Sequence, residues 1–483
     1  MVDKIIWGQL TILGSSCWLP LMFLLIYKSL QTRRTLYSIG AGIVLAVQIF
    51  SGHPQIPFYG LLSLSLFVCY MFLHNIRKKV PLKKNIHSFK YFLIAVLTGV
   101  GLAAIQLVPA LELASHTFRS SFDERFAFYA RWSMEAKYML TFFFPRLTEM
   151  IGKNSHMFPV SLGFVGVLPI LLAVFALKWI RKNIFILFFC LLALFSLILA
   201  AGRYTPVYRL FYDYFPGFDA FRIPIFLLYI YGFSMCLLAG FGMQRIQRIL
   251  NAGLTKKSKI FLSVFLMACL LLISISLVSH LVINSNSSST SPLLMKISKY
   301  HQTLGYDFGI VGFAVGVALI MALFWRRFGE KKVIPKISII VLIFLELFLY
   351  SNKYIKVYDL TPFVSKSNWV DYLKADKQPY RILPILPYPE QDPVLKLNYI
   401  PSINGYGSFE ILNDYVEFIG NFQDEPVHQQ LCIVRAKNLN SKAVNLLNTK
   451  YILTAEPIQD ENYHLEFIDE IPMIKTWDLQ NTG

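Results

Sequence analysis

The side chains able to do chemistry fall into three short polar stretches between long apolar runs. In Ser51-Gly52-His53-Pro54-Gln55, Gly and Pro break the helix, and the freed backbone groups need cover from protein or from a water-filled cavity. His53 there could donate or accept a proton or touch a phosphate, or its imidazole could simply satisfy the carbonyls of a turn. The second stretch runs Glu112, Ser115, His116, Arg119, Asp123, Glu124, Arg125, Arg131 and Trp132. Arg119 or Arg131 could grip a phosphate through a guanidinium fork while Glu112 or Asp123 takes a proton. With Phe122, Phe126, Phe128 and Tyr129 interleaved, the same segment also suits an amphipathic helix lying in a membrane interface. The third begins Gly202-Arg203-Tyr204-Thr205-Pro206 and continues through Asp213 and Asp219 to Arg222, which stands at the mouth of the next apolar run and could meet an anionic headgroup. Snorkelling explains any single arginine so placed, but several cations and acids in one short loop favour a site. Glu346 stands apart inside an apolar run, a costly place for a carboxylate, about one helical turn from its end and so within reach of water.

Other chemistries find no support. There is no phosphate-binding Gly-rich loop, no nucleophile elbow, no HExxH and no dinucleotide fingerprint, so no cofactor is expected. Five of the six cysteines (Cys17, Cys69, Cys190, Cys236 and Cys269) lie in apolar runs and only Cys432 in a polar segment, which leaves no zinc pair or disulfide framework and no metal site to assign.

The elements that must position these residues are membrane spans. A chain that is 55% hydrophobic and only 15% charged is too apolar for an ordinary soluble domain. The net charge of +18 would suggest nucleic acid in a soluble protein, but here the cations sit in short loops between spans, so no nucleic-acid partner is expected. The apolar runs predict about ten transmembrane helices: Ile5–Tyr27, Leu36–Phe50, Ile56–Leu73, Tyr91–Leu111, Phe158–Leu177, Ile184–Ala200, Ile223–Met243, Ile260–Ile283, Gly309–Phe324 and Ile337–Tyr350. Loops rich in Lys and Arg, such as Arg77 to Lys90 and Arg326 to Lys336, alternate with mixed or acidic ones. By the positive-inside rule the three chemical stretches then share the outer face.

The same alternation puts the tail outside. There, acids outnumber bases, and short β-rich patches at Tyr380–Leu386 and Lys450–Thr454 flank a helical spacing at Ser441–Asn448. The expected fold is therefore an all-α multi-pass membrane domain over residues 1–351 with an extracytoplasmic α/β domain over 352–483. The start also falls on the outer side, an unusual position for an uncleaved first helix, and predicts that an odd number of helices precedes Met1.

Several segments, in order, resemble the YfhO family of bacterial membrane proteins: Ser51-Gly52-His53-Pro54-Gln55, Gln106-Leu107-Val108-Pro109 followed by Ser115 and Arg119, and Pro216-Gly217-Phe218-Asp219-Ala220-Phe221-Arg222-Ile223-Pro224. Asn404-Gly405-Tyr406 and Leu446-Leu447-Asn448-Thr449-Lys450-Tyr451-Ile452-Leu453 continue the likeness into the tail. The resemblance implies a GT-C-like glycosyltransferase in the bacterial cytoplasmic membrane. It would pass a sugar from a polyprenyl-phosphate carrier to a cell-envelope acceptor of the teichoic acid type. Glu112, Asp123 and His53 are then the candidate catalytic residues, and Arg119, Arg222 and Arg203 the candidate donor-phosphate ligands. The resemblance also implies a longer chain with a key acid in a first outer loop; with the loop alternation, this predicts an N-terminally truncated product, an inactive fragment or half of a split enzyme. A transporter or flippase for a lipid-linked or anionic substrate, using Arg222 and Glu346, is the alternative.

Overall fold

The structure is a computed structural model. It describes residues 10–117, 125–130, 132–147, 163–253, scattered stretches within 255–320, then 333–354, 368–385, 395, 397–403, 412–420 and 442–454. Two compact units emerge, one of residues 1–105 with 124–356, the other of 106–123 with 357–483.

The first unit opens with α1 (Leu10–Ser16) and α2 (Leu19–Thr32), which α3 (Thr35–Phe50) follows back. Pro20 sits in the first turn of α2, where its missing N–H costs nothing. Arg33 ends that helix in the left-handed region (φ 56°), its N–H donating to the Ser29 carbonyl. Ser29 and Ser38 hydroxyls 2.6 Å apart close the hairpin. Deeper in, the Ser15 hydroxyl donates to the Gln48 carbonyl (3.1 Å) and the Gln48 amide to the Ser15 carbonyl (2.9 Å). Both side chains are buried, and this exchange satisfies polar groups that have no water to turn to.

Two long helices come next, α4 (Gln55–Arg77) and α5 (Leu82–Ser115). With 34 residues α5 is roughly 50 Å long, well beyond the ~30 Å of a hydrocarbon core. It crosses α3 where Gly42 faces Gly99: a Cβ on Gly42 would stand 2.6 Å from the Ala95 carbonyl oxygen, and one on Gly99 2.6 Å from Leu45. Only glycine permits so close a contact between helix backbones. After α6 (Arg125–Tyr129) come α7 (Val167–Ala176), α8 (Ile184–Ala200), α9 (Pro206–Tyr214), α10 (Leu228–Ala252) and α11 (Val333–Tyr354). Leu168, Leu172, Ala239 and Leu342 form one buried cluster from α7, α10 and α11.

Among the described residues, four helical stretches are long and apolar enough to cross a membrane: Leu10–Thr32, Gln55–Arg77, Asn85–Ser115 and Pro224–Ala252. Shorter apolar helices stand at Thr35–Phe50, Val167–Trp179, Ile184–Ala200, Gly309–Ile320 and Ile337–Asn352, while most of the expected span Ile260–Ile283 lies outside the described residues. Leu93, Leu97, Ile105 and Val108 are exposed along α5, an apolar surface that water would not tolerate and lipid would. The chain is a helical, multi-pass membrane protein.

The second unit holds α12 (Asn368–Ala375), β1 (Arg381–Ile385), α13 (Asn413–Gly420), α14 (Lys442–Leu446) and β2 (Thr449–Thr454). The strands pair in parallel, with Ile382 opposite Tyr451 and Leu383 opposite Ile452. Two apolar clusters flank the pair, one with Leu383, Ile403, Ile419 and Val444, the other with Trp369, Leu373, Ile382 and Leu395. The end of α5 belongs to this unit. Just past that helix, the His116 carbonyl accepts the Asn413 N–H at 2.9 Å, and Thr117 forms an antiparallel bridge with Leu412.

Candidate functional site

One end of the first unit collects the turn before α4 and the connections on either side of α9. Gly52 makes that turn with φ 85°, and Pro54 then starts α4. Gln55, buried in the first turn, donates its amide to the Tyr59 hydroxyl (3.0 Å) and to the Arg222 carbonyl. That tie joins positions 167 residues apart in sequence. The next residue, Ile223, is held in the left-handed region at φ 65° and ψ 72°, with its N–H donating to the Tyr129 carbonyl at 3.1 Å. A β-branched residue adopts such a backbone only at a cost of ~1–3 kcal/mol, which the surrounding bonds must offset. A 3-10 turn at Pro224–Leu227 then leads into α10. The His53 imidazole packs edge-on against Phe226, 5.5 Å between centroids, and the Tyr229 hydroxyl donates to the Ile56 carbonyl at 2.8 Å. His53 and Arg222 are therefore both half-buried and both anchored to the paired starts of α4 and α10.

Arg203 belongs to the same end but is occupied differently. Its guanidinium donates to the carbonyls of Ala130 (3.1 Å) and Ala127 (3.3 Å), and its backbone N–H donates to the Ser133 hydroxyl (2.9 Å). Two of its five side-chain donors thus brace the loop after α6. Gly202 is required beside it: φ is 52°, and a Cβ would fall 2.0 Å from the Ser133 oxygen. The Tyr208 ring lies buried beneath α9 against Phe126 and Phe218, and burial pushes its phenol far above its ordinary range, so it serves as a neutral group.

Of Glu112, Arg119, Asp123 and Arg131, only Glu112 falls among the described residues. Glu112 is exposed on the last turn of α5, its carbonyl accepting from the Ser115 hydroxyl at 2.6 Å, in the second unit. Arg119, Asp123 and Arg131 lie outside the described residues.

Glu346 does not reach water as its position near a span end suggests; it is 2% exposed. Its carboxylate caps α7, accepting the Val167 N–H at 2.6 Å and the Leu168 N–H at 3.4 Å. The positive end of a helix and two otherwise unpaired donors make this a favourable seat for a buried anion. Gly166 permits it, with φ 93° and a virtual Cβ only 3.0 Å from the carboxylate. Buried Arg146 lines the same small cavity, together with Tyr350 and Phe164. Nothing in the sequence marked Arg146, which follows Pro145 in an aromatic stretch and shares this cavity with residues as far downstream as Glu346 and Tyr350.

Among the described residues, no three His, Cys, Asp or Glu side chains gather as a metal site. No known protein family, no curated protein and no solved structure matches the chain.

Proposed function

We propose that the protein is a GT-C-like membrane glycosyltransferase of the YfhO kind, acting at the outer face of the bacterial cytoplasmic membrane. The donor is a polyprenyl-phosphate sugar and the acceptor a hydroxyl of a cell-envelope polymer of the teichoic acid type. The observation that carries this reading is Arg222, half-buried and pinned through its carbonyl by Gln55, at the point where the chain enters α10. A lipid-linked phosphate remains at headgroup depth, and a guanidinium at the end of an apolar helix is suited to meet it with two parallel hydrogen bonds. His53, seated on Phe226 at the start of α4, is a proton acceptor at that same end. In the reaction the bond between the sugar's anomeric carbon and the phosphate oxygen breaks and a bond to the acceptor oxygen forms. The acceptor proton passes to the base, and the phosphate leaves on its carrier as an anion stabilised by Arg222. Arg203 supports the site chiefly as a brace for the loop after α6.

Native mass spectrometry of the protein in nanodiscs supplied with polyprenyl phosphate tests the donor half. The wild type should retain the carrier, and Arg222→Ala should lose it at least about tenfold, one charge-assisted contact's worth. Equal retention by both would overturn the assignment.

The second reading is a transporter for a lipid-linked or anionic substrate. It draws on Glu346 and Arg146, two ionisable groups buried among apolar helices around one cavity.

A further inference from the structure

The nine residues of α9 divide into three faces. Tyr208 is fully buried, and the Phe211 and Tyr212 rings also pack inward, against Phe195 and Phe126 respectively. Arg209 and Asp213, one turn apart, form an ion pair of 2.7 Å, with the Arg209 guanidinium also 4.4 Å above the Phe126 ring. Leu210 and Tyr214, also one turn apart, are 57% and 79% exposed. One residue of offset turns a helix ~100°, so the charged pair and the exposed apolar pair form two adjacent stripes on the outside of the helix. Exposed apolar side chains continue beyond α9 through Tyr204 and Phe215 and into the 3-10 stretch at Ala136–Phe142, where Met139 and Leu140 are exposed. Lys137 of that stretch interacts electrostatically with Tyr204, so the two segments are neighbours.

This surface sits between two apolar helices. α8 ends at Ala200, six residues before α9 begins, and the apolar stretch that contains α10 starts at Pro224. Leu191 and Leu194 on α8 are likewise exposed apolar side chains, and α9 packs against α8 through the Phe211 and Phe195 rings. A helix with a buried face, an apolar edge and a charge-paired edge fits a membrane interface, with rings and aliphatic chains at the acyl boundary and charges towards the headgroups.

We infer that α9 is an in-plane membrane anchor: Leu210, Tyr214, Phe215 and Tyr204 are inserted in the lipid, and the Arg209–Asp213 pair lies at the headgroups. The occupant of this surface is the phospholipid leaflet itself, and the inference stands whether or not the protein transfers a sugar. Two spans emerge beside this helix, so it fixes how deep the His53 and Arg222 end can sit relative to the lipid phosphates.

The test is spin-label accessibility in the full chain, in phosphatidylcholine and phosphatidylglycerol nanodiscs, with the six native cysteines replaced. Labels at Leu210→Cys and Tyr214→Cys should meet dissolved oxygen more readily than a water-soluble nickel chelate, and a label at Asp213→Cys should show the reverse. Tyr204→Cys, outside the helix, repeats the measurement without altering α9. Preferential nickel access at Leu210, Tyr214 and Tyr204 would overturn the anchor. Protection of those labels from both reagents would also overturn it, by showing that protein covers the face.

Discussion

Arg222 is held through its backbone, which separates the placing of its charge from the use of it. The Gln55 amide grips the carbonyl and the Ile223 N–H is fixed on Tyr129, so a side-chain substitution at 222 leaves the anchor intact. Arg222→Ala should lower sugar transfer by about a hundredfold without lowering the amount of folded protein, the loss expected when one group opposing developing charge is removed. Arg222→Lys should fall between the two, because it restores charge but not the fork. Incorporation of radiolabelled sugar into envelope polymer measures both, and wild-type incorporation by Arg222→Ala would refute the role. Glu346 makes a different prediction. Its carboxylate satisfies two buried N–H groups, so Glu346→Ala should cost about 1–3 kcal/mol and lower the thermal midpoint of the purified protein. An unchanged midpoint would show that the cap contributes nothing. Composition and spacing pointed to Glu346 as an unusual residue, but its partners were illegible: they lie on a helix some 180 positions earlier and are backbone atoms, which have no sequence signature.

At the scale of elements, short contacts decide how helices and strands meet. A Cβ on Gly42 would intrude on the α5 backbone, so Gly42→Leu should separate α3 from α5 and cost about 1–3 kcal/mol, read as a lower detergent melting temperature than wild type. In the second unit the loop after α12 is fastened to β2 by Asp376. Its carboxylate is held down to about 2 by the Lys450 ammonium first, then by the Gln378 N–H and the Tyr451 hydroxyl. The folded value is depressed below the ordinary 3.8, so the contribution is present above that value and is lost as pH falls towards 2. Hydrogen exchange at β2 amides should therefore be faster in Asp376→Asn than in wild type at neutral pH, with the gap closing below pH ~3. A gap that persisted at low pH would contradict the ion pair as its cause. Element boundaries were unevenly legible. Ile184–Ala200 is a helix over the very run that hydropathy marks, because Asn183 caps one end and Gly202 stops the other. By contrast α5 extends from Leu82 to Ser115, far past its apolar run at Tyr91–Leu111, because polar residues continue a helix as readily as they end a hydrophobic window. The left-handed Ile223 was invisible, since isoleucine is no helix breaker by type, whereas the break between α1 and α2 had a sign in Pro20 that the unbroken apolar run around it masked.

For the whole molecule, the alternating charge of the loops and the grouping of residues 106–123 with 357–483 bear on the same question. If that unit lies on one side of a membrane, the end of α5 and the tail share a side, and the positive-inside rule predicts that side to be the outer one. Cysteines introduced at Glu112 and Lys377 should react with an impermeant maleimide in intact cells, while one at Lys79 should react only after lysis. Labelling of Lys79 in intact cells would reverse the orientation and move the Arg222 end to the cytoplasm. The membrane class was legible because hydropathy is a local property, whereas the inclusion of a span end in the second unit depends on the long-range bond between His116 and Asn413. If the protein adds a sugar to an envelope polymer through its Arg222 end, the sugar content of purified envelope polymers will show it, measured by mass spectrometry in a strain lacking the gene and after its return. A substituent should disappear on deletion and come back with the wild-type gene but not with Arg222→Ala or Arg119→Ala; polymers identical in all four strains would contradict it.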